Sequence, residues 1–435
     1  MNYSHVRNGM ICAAFFACAL CFADNTESKV KFSGSASLEM GEIVSGTSIS
    51  NNLPSPTPIE KGWQERFLYE FVTDAQPTPS IRLWMDIEGQ INFSYPQKRL
   101  LSYDSEVARN LFAPIAIEGT YTLGDKEKPF LQFGMGYFPY KFNPDATNLG
   151  EFLFRTGTYP LYLISNFNHC YGELLGFRAS STLFETLKID LLFTSEALMF
   201  PTQDYSLTLA AHYTLANCLT IGAAIDWAHL ISVNDDYTSG KAAGITYITS
   251  NGDTVPYNFE GVKPSVMVSF DPKPLLPSII SNVFGKSDCR IYGEELVCGW
   301  ENRPDLDTTK KGQFMGYANR ADRTAWMVGF DVPTFKMLDI LSLESEYFPS
   351  KYDDSFRQVL LNASATPPAE VMKARTPWKW SLYAKKSFGG AFSVIGMVGR
   401  DHYRPTFPVL GSSEMESTLN TTKDWRWCLS FNIGM

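Results

Sequence analysis

The stretch SIRLWMDIEGQINFSYP, Ser80 to Pro96, keeps one rule for most of its length. Ile81, Leu83, Met85, Ile87, Gly89, Ile91, Phe93 and Tyr95 take every second place, with Arg82, Trp84, Asp86, Glu88, Gln90, Asn92 and Ser94 between them. A period of two puts the two sets on opposite faces of a β-strand. At about 3.3 Å per residue the strand reaches roughly 50 Å, several times the usual globular length. A wall that is oily on one face and charged on the other over that distance fits a boundary between lipid and water. A soluble sandwich or solenoid explains the alternation but not apolar faces of lipid size.

The pattern recurs in KVKFSGSASLEMGE, QERFLYEFVTD, PIAIEGTYTLG, FLQFGMGYFPY and YSLTLAAHYTL, and the chain finishes in DWRWCLSFNIGM. Tight links at 76–79, 124–129, 184–186, 216–218, 332–336 and 387–390 alternate with polar loops at 43–63, 96–113, 141–170, 232–263, 349–376 and 404–422. Short turns at one end and long loops at the other describe an all-β, antiparallel transmembrane barrel. Parity requires one more strand within 272–322, and CRIYGEELVCGW, 289–300, is the best candidate despite its poor alternation. The total is about 16 strands, an even number as single-chain bacterial barrels require. Backbone groups unpaired in hydrocarbon cost several kcal/mol each, so a strand can cross only in a closed sheet. Tyr95, Tyr137, Tyr205, Trp227, Tyr347 and Trp378 sit near strand ends, where aromatic girdles belong.

Residues 1–23 read as a cleaved export signal: Arg7 and no acid, then the apolar MICAAFFACALCF, then small residues before Asp24. The expected mature chain, 24–435, is a single barrel with inserted loops, of which 141–170, 232–263 and 272–322 are the longest; its net charge goes from −9 to −10 once Arg7 leaves. That acidity argues against a nucleic-acid partner, since phosphate binding needs a surplus of Lys and Arg. Cys170, Cys218, Cys289, Cys298 and Cys428 would remain after cleavage, too sparse for a disulfide framework. Cys289 and Cys298 are close enough in sequence to close one loop by a disulfide, the alternative being two buried thiols.

The terminal strand WRWCLSFNIGM resembles the assembly signal of bacterial outer-membrane β-barrel proteins, although it ends in Met435 where an aromatic residue is usual. The run GMGYFPYKFNPDATNLGEFLFRTGTYP followed by GELLGFRASSTL resembles the strand–lumen loop–strand segment of 16-stranded porins over about 50 residues. The resemblance implies a channel in the outer membrane of a Gram-negative bacterium, with outer-membrane lipid around it. It further implies passive diffusion of small hydrophilic solutes or ions through a loop-narrowed pore, and a homo-oligomer, commonly a trimer.

Within loop 141–170, Asn148 and Glu151 have the spacing of an Asn-led capping box, and Gly157 is a plausible stop. LGEFLFRT then becomes a short helix with Phe152, Leu153 and Phe154 on an apolar side; if the loop tucks inward, Glu151 and Arg155 stand near the constriction. The alternative is a loop packed on the rim. By alternation Arg66, Arg82, Asp86, Glu88, Arg178, Lys188 and Asp190 also face the lumen. Mixed charges across a pore tune ion preference, and the acidic total points to a mild preference for cations.

Signals for an enzyme are poor. His169, His212, His229 and His402 remain after export, and simple pairing sets His212 opposite Gly222 rather than an acid that could orient it. No cofactor or metal site is expected, because the acidic pieces NDDYTSG, KYDDS and DLDTT lack the full EF-hand pattern. The competing function is a structural or adhesive surface barrel that binds a partner or polysaccharide through loops such as 43–63 and 232–263.

Overall fold

In the computed structural model the described residues are 29–48, 57–92, 110–124, 129–158, 170–195, 203–234, 246–248, 254–256, 259–301, 319–349, 376–403 and 419–434. The expected export signal, His169, Phe93 to Tyr95 and the acidic pieces at 351–355 and 305–309 lie outside them.

The first run of strands is β1 (Lys29–Ser48), β2 (Thr57–Thr78), β3 (Ile81–Asn92), β4 (Asn110–Gly124), β5 (Pro129–Tyr140), β6 (Gly172–Leu183), β7 (Leu187–Ser195), β8 (Tyr205–Leu215) and β9 (Leu219–Ile231). A separate small hairpin follows, β10 (Thr246–Ile248) with β11 (Thr254–Pro256). The second run is β12 (Gly261–Phe270), β13 (Ile291–Val297), β14 (Thr324–Asp331), β15 (Ile340–Tyr347), β16 (Trp378–Phe388), β17 (Phe392–Arg400) and β18 (Trp425–Gly434). All strands but β10 and β11 join one closed antiparallel barrel, 16 in number, with β9 beside β12 and β1 paired to both β2 and β18. Closure leaves no edge strand in the barrel, the condition for crossing hydrocarbon. The strand required by parity is β13, inside the segment 289–300.

Several links take the conformation that strand twist favours. Phe184 and Glu185 have φ of 54° and 62°, Ala216 and Asn217 of 48° and 54°, as in type I′ turns. The first loop is shorter than expected: β1 and β2 stay paired as far as Ser48 opposite Thr57, within the polar segment 43–63. Ladder hydrogen bonds need no apolar face, so the polar strands continue beyond the apolar part of the wall.

Alternation sorts the two faces. In β15, Ser342, Glu344 and Glu346 are 1% exposed or less, while Leu343 between them is 49% exposed. Leu191, Leu209 and Ile225 are aligned neighbours on β7, β8 and β9, all outward and 45%, 42% and 39% exposed. The polar face is therefore the inner one, and the exposed apolar face surrounds the barrel. Tyr347, Trp326 and Trp378 cluster at the long-loop ends of their strands, with Trp378 5.1 Å from Trp326 and 5.4 Å from Tyr347 between ring centroids. Phe193 and Tyr205 stack at 5.3 Å as diagonal neighbours on β7 and β8. Leu209→Arg, in the middle of the outward face, is expected to destabilise the barrel by about 2–4 kcal/mol on folding into lipid vesicles. Equilibrium denaturant titrations of the two forms measure it.

The proposed Cys289–Cys298 bridge does not form: both are free thiols. β13 runs between them, and its seven residues put the sulfurs roughly 25 Å apart at the strand's usual rise, far beyond disulfide reach.

Candidate functional site

Between β5 and β6 the chain turns inward. Consecutive backbone N–H groups of this segment meet carboxylates on the inner wall. Glu344 accepts from Thr147 N at 2.6 Å, Asn148 N at 2.9 Å and Leu149 N at 2.8 Å, and also from the Tyr292 hydroxyl at 2.8 Å. Glu346 accepts from Gly150 N at 2.8 Å, and Glu294 from Phe152 N at 3.1 Å. The Asn148 amide donates to Ser381 Oγ at 2.9 Å and Asp401 Oδ2 at 3.1 Å. The Lys263 ammonium holds the carbonyls of Leu153 and Thr156 at 2.8 and 3.0 Å. These partners lie on β12, β13, β15 and β16 and just past β17, so residues 141–158 cross the interior and dock on its far side.

A second layer of contact is apolar. Phe142, Leu149, Phe152 and Leu153 are at most 1% exposed. They share one buried cluster with Leu192, Ala210, Ala224, Met267, Tyr292 and Met327 from the inner wall. Each large side chain contributes roughly 1.5–3 kcal/mol on leaving water. Gly150 permits the approach: its φ is +79°, and a Cβ there would stand 2.7 Å from both a Glu294 oxygen and the Met327 methyl.

Locally the helix departs from the sequence reading. α1 (Phe152–Arg155) is a single turn, and no side chain caps it. Glu151 is itself the N-cap, with φ of 59°, and its carboxylate turns back to accept from Phe142 N at 3.0 Å and from Asn143 N. The Asn148–Glu151 box is absent because Asn148 is held by the wall. The helix stops at Thr156, one residue before Gly157. Burial raises the Glu151 carboxyl above the ordinary carboxylate range, against the lowering pull of Lys141 and the two backbone N–H donors.

Among the described residues, the loop packs against one side of the interior and stands away from the other. A cavity of about 220 Å³ remains between the loop and β1, β2, β3, β16, β17 and β18. Its ionisable lining is Glu39, Glu70 and Glu88 against Arg66 and Arg155, with Ser37, Asn148, Tyr69 and Tyr383 among the neutral groups. Arg66 bonds Glu39 at 2.7 Å. Glu70 and Glu88 are directly opposite each other on β2 and β3, and Ser35 Oγ donates to Glu70 at 2.8 Å.

Of the residues expected at the pore, Arg66, Glu88 and Arg155 meet at this cavity. Asp86 is on the same face of β3, 5% exposed, outside the cavity lining. Arg82 pairs with Asp74 at 2.9 Å beside the β2–β3 turn, away from the cavity. Arg178 pairs with Glu118 at 2.6 Å and Lys188 with Asp190 at 3.1 Å, all four outside the cavity lining. Asp190 is 1% exposed and accepts from the Tyr140 hydroxyl at 2.9 Å. Glu151, also 1% exposed, is a latch within its own loop rather than a lining group. His212 lies opposite Gly222, and its Nε2 donates to the Phe142 carbonyl at 2.8 Å, so it too holds the loop.

Alternation did not single out Glu344, Glu346 or Glu294 as anchors, although LESEY places two carboxylates on one face of β15. What marks them is the loop that comes to them, which is remote in sequence.

Asp401 ties this anchor to the rim. It bonds Arg426 at 2.9 Å and the Asn148 amide at 3.1 Å. Burial alone raises its carboxyl, but the Arg426 guanidinium and the donated hydrogen bonds override it and bring it from 3.8 to about 2. A lowered carboxylate contributes stability that is complete above the unfolded value and lost as pH falls toward the folded one. The window is therefore pH 4 to 2, and the contribution about 2–3 kcal/mol. Thermal unfolding in detergent is expected to weaken across that window in the native chain, with Asp401→Asn removing this part of the slope.

No protein-family model and no curated protein matches the chain. Solved structures do. The Salmonella typhi OmpF complex with daunomycin covers 94% of this chain and 98% of its own, at 10% identity and a TM-score of 0.48. A triple mutant of the Rhodopseudomonas blastica porin covers 94% of this chain and 100% of its own, at 6% identity and a TM-score of 0.42.

Proposed function

We propose that this chain is a porin-like channel in the outer membrane of a Gram-negative bacterium, through which small hydrophilic solutes and ions diffuse passively. The observation that carries the reading is the division of the interior. One side is a core where the inserted loop packs; the other is a cavity lined by charged side chains of both signs beside apolar ones such as Leu68, Ile395 and Met397. A barrel built only for rigidity has no use for a cavity lined by paired and opposed charges beside a firmly anchored loop. No chemical step is assigned to the lining, whose role is to replace part of a solute's hydration as it passes.

Three carboxylates against two cationic groups favour cations mildly. The purified chain in planar bilayers is expected to give stepwise conductance with weak cation preference. In vesicles it is expected to admit small sugars and exclude oligosaccharides. A reconstituted barrel that stays closed to ions and sugars would reject the reading.

A further inference from the structure

The short-turn rim carries a feature that the passage does not use. Residues 271–290, between β12 and β13, hold a turn of 3-10 helix (Lys273–Leu275) and the one-turn α2 (Ser278–Ser281). Residues 332–339 link β14 to β15 beside them. The two links are locked together: the Phe284 ring stacks on Phe335 at 5.6 Å, and the Lys336 ammonium donates to the Asn282 carbonyl. The Asp288 carboxylate accepts from Gly285 N at 2.8 Å, Phe335 N at 3.0 Å and Thr334 Oγ1 at 3.2 Å.

This bonded lobe nevertheless shows an apolar outer surface. Ile279 is 84% exposed, Met337 72%, Leu275 61%, Phe335 53%, Val283 52% and Ile280 48%. Contiguous exposure of that kind marks a surface that meets a membrane or a partner. Two observations choose between them. First, the lobe continues the outward apolar face of the barrel: Ile291 begins β13 straight after the first link and pairs with Phe330, which pairs with Leu343, all outward-facing. Second, the exposed charges beside the apolar tips are basic. Lys286 and Lys336 are exposed. The nearby acids are occupied: Asp271 pairs with Lys273 at 3.0 Å, Asp339 accepts from Ser387 N at 2.6 Å, and Asp288 is buried.

We infer that the lobe is an interfacial anchor that beds into the leaflet on the short-turn side, with its apolar tips among acyl chains and Lys286 and Lys336 against anionic phosphate headgroups. Apolar residues flanked by lysines are the chemistry of an interfacial segment, and anionic lipid adds to the attraction. The inference rests on the barrel being membrane-embedded, as proposed above, but not on its conducting.

The test uses the full chain folded into vesicles, with Cys218 and Cys289 replaced by serine. Ile279→Cys or, separately on the second link, Met337→Cys carries an environment-sensitive fluorophore. Both labels are expected to emit at apolar wavelengths and to be quenched about two-fold by acyl-brominated phosphatidylcholine. Adding phosphatidylglycerol is expected to increase the quenching, and Lys286→Gln with Lys336→Gln to abolish that increment while conductance is unchanged. Water-like emission without bromine quenching at both sites, in a barrel that still conducts, would overturn the anchor and point instead to a protein partner. Quenching equal with and without phosphatidylglycerol would overturn the headgroup contact. Quenched labels on a barrel that never conducts would leave the anchor standing and remove the channel.

Discussion

Glu344→Ala is expected to widen the proposed passage. In the native chain this carboxylate serves three consecutive N–H groups of the inserted loop, within a site that is 1% exposed. Alanine leaves those donors without an acceptor, at a cost of about 1–3 kcal/mol each. Even the low end of their sum shifts the balance between docked and displaced loop on the order of a hundred-fold. The apolar cluster around Phe142, Leu149, Phe152 and Leu153 opposes release, so the loop is expected to detach at its 147–150 segment first. Single-channel recordings are expected to show a conductance about two-fold higher with frequent substates, and swelling assays a raised size limit. Glu344→Gln separates charge from shape. It keeps one acceptor oxygen but turns an amide donor toward donors, so an intermediate phenotype is expected. Unchanged conductance and size limit in Glu344→Ala would mean that the loop does not set the bore.

Removing two carboxylates from the lining is expected to reverse the ion preference. Glu70 and Glu88 face each other across β2 and β3, and both line the open cavity with Glu39, Arg66 and Arg155. Like charges directly opposite on paired strands repel, so Glu70→Gln with Glu88→Gln is expected to cost little stability. It leaves one carboxylate against two cationic groups. The reversal potential across a salt gradient is expected to change sign, with the cation-to-anion permeability ratio falling about three-fold or more. High salt is expected to shrink the difference, because the Debye length falls to about 3 Å at 1 M. A potential unaffected by the double change would move the selectivity filter elsewhere in the lumen.

The wall was largely legible from residue order. Alternation in KVKFSGSASLEMGE, SIRLWMDIEGQIN and YSLTLAAHYTL reports faces directly, because side-chain direction in a strand depends only on position. Turn chemistry and loop length then set antiparallel order and an even count. Alternation is least informative where the inner face is itself apolar. Leu191, Leu192 and Phe193 in β7 and Ala223 with Ala224 in β9 show no change of character, since the inner residue of each set packs on the loop instead of meeting water. The same effect weakened β13, where Tyr292 and Leu296 turn inward to the same core.

Position in the strand puts Arg82, Arg178 and Lys188 on the polar face, and from it they are expected to line the pore, yet none of them lines the cavity. Whether an inward charge meets the open space depends on what else occupies the barrel. Glu151 shows the limit most clearly: it belongs to the right loop, yet its carboxylate serves its own backbone.

Residue order by itself determined the closed sheet and its inside and outside, because these follow from local periodicity and the need to pair every backbone group. Only the tertiary structure decided that residues 141–158 dock on β12, β13, β15 and β16, that the open space lies beside β1 to β3 and β16 to β18, and that Glu344 is an anchor. Those depend on contacts between segments about 200 residues apart, set by packing volume and by the pairing of buried donors with acceptors, which no local pattern encodes.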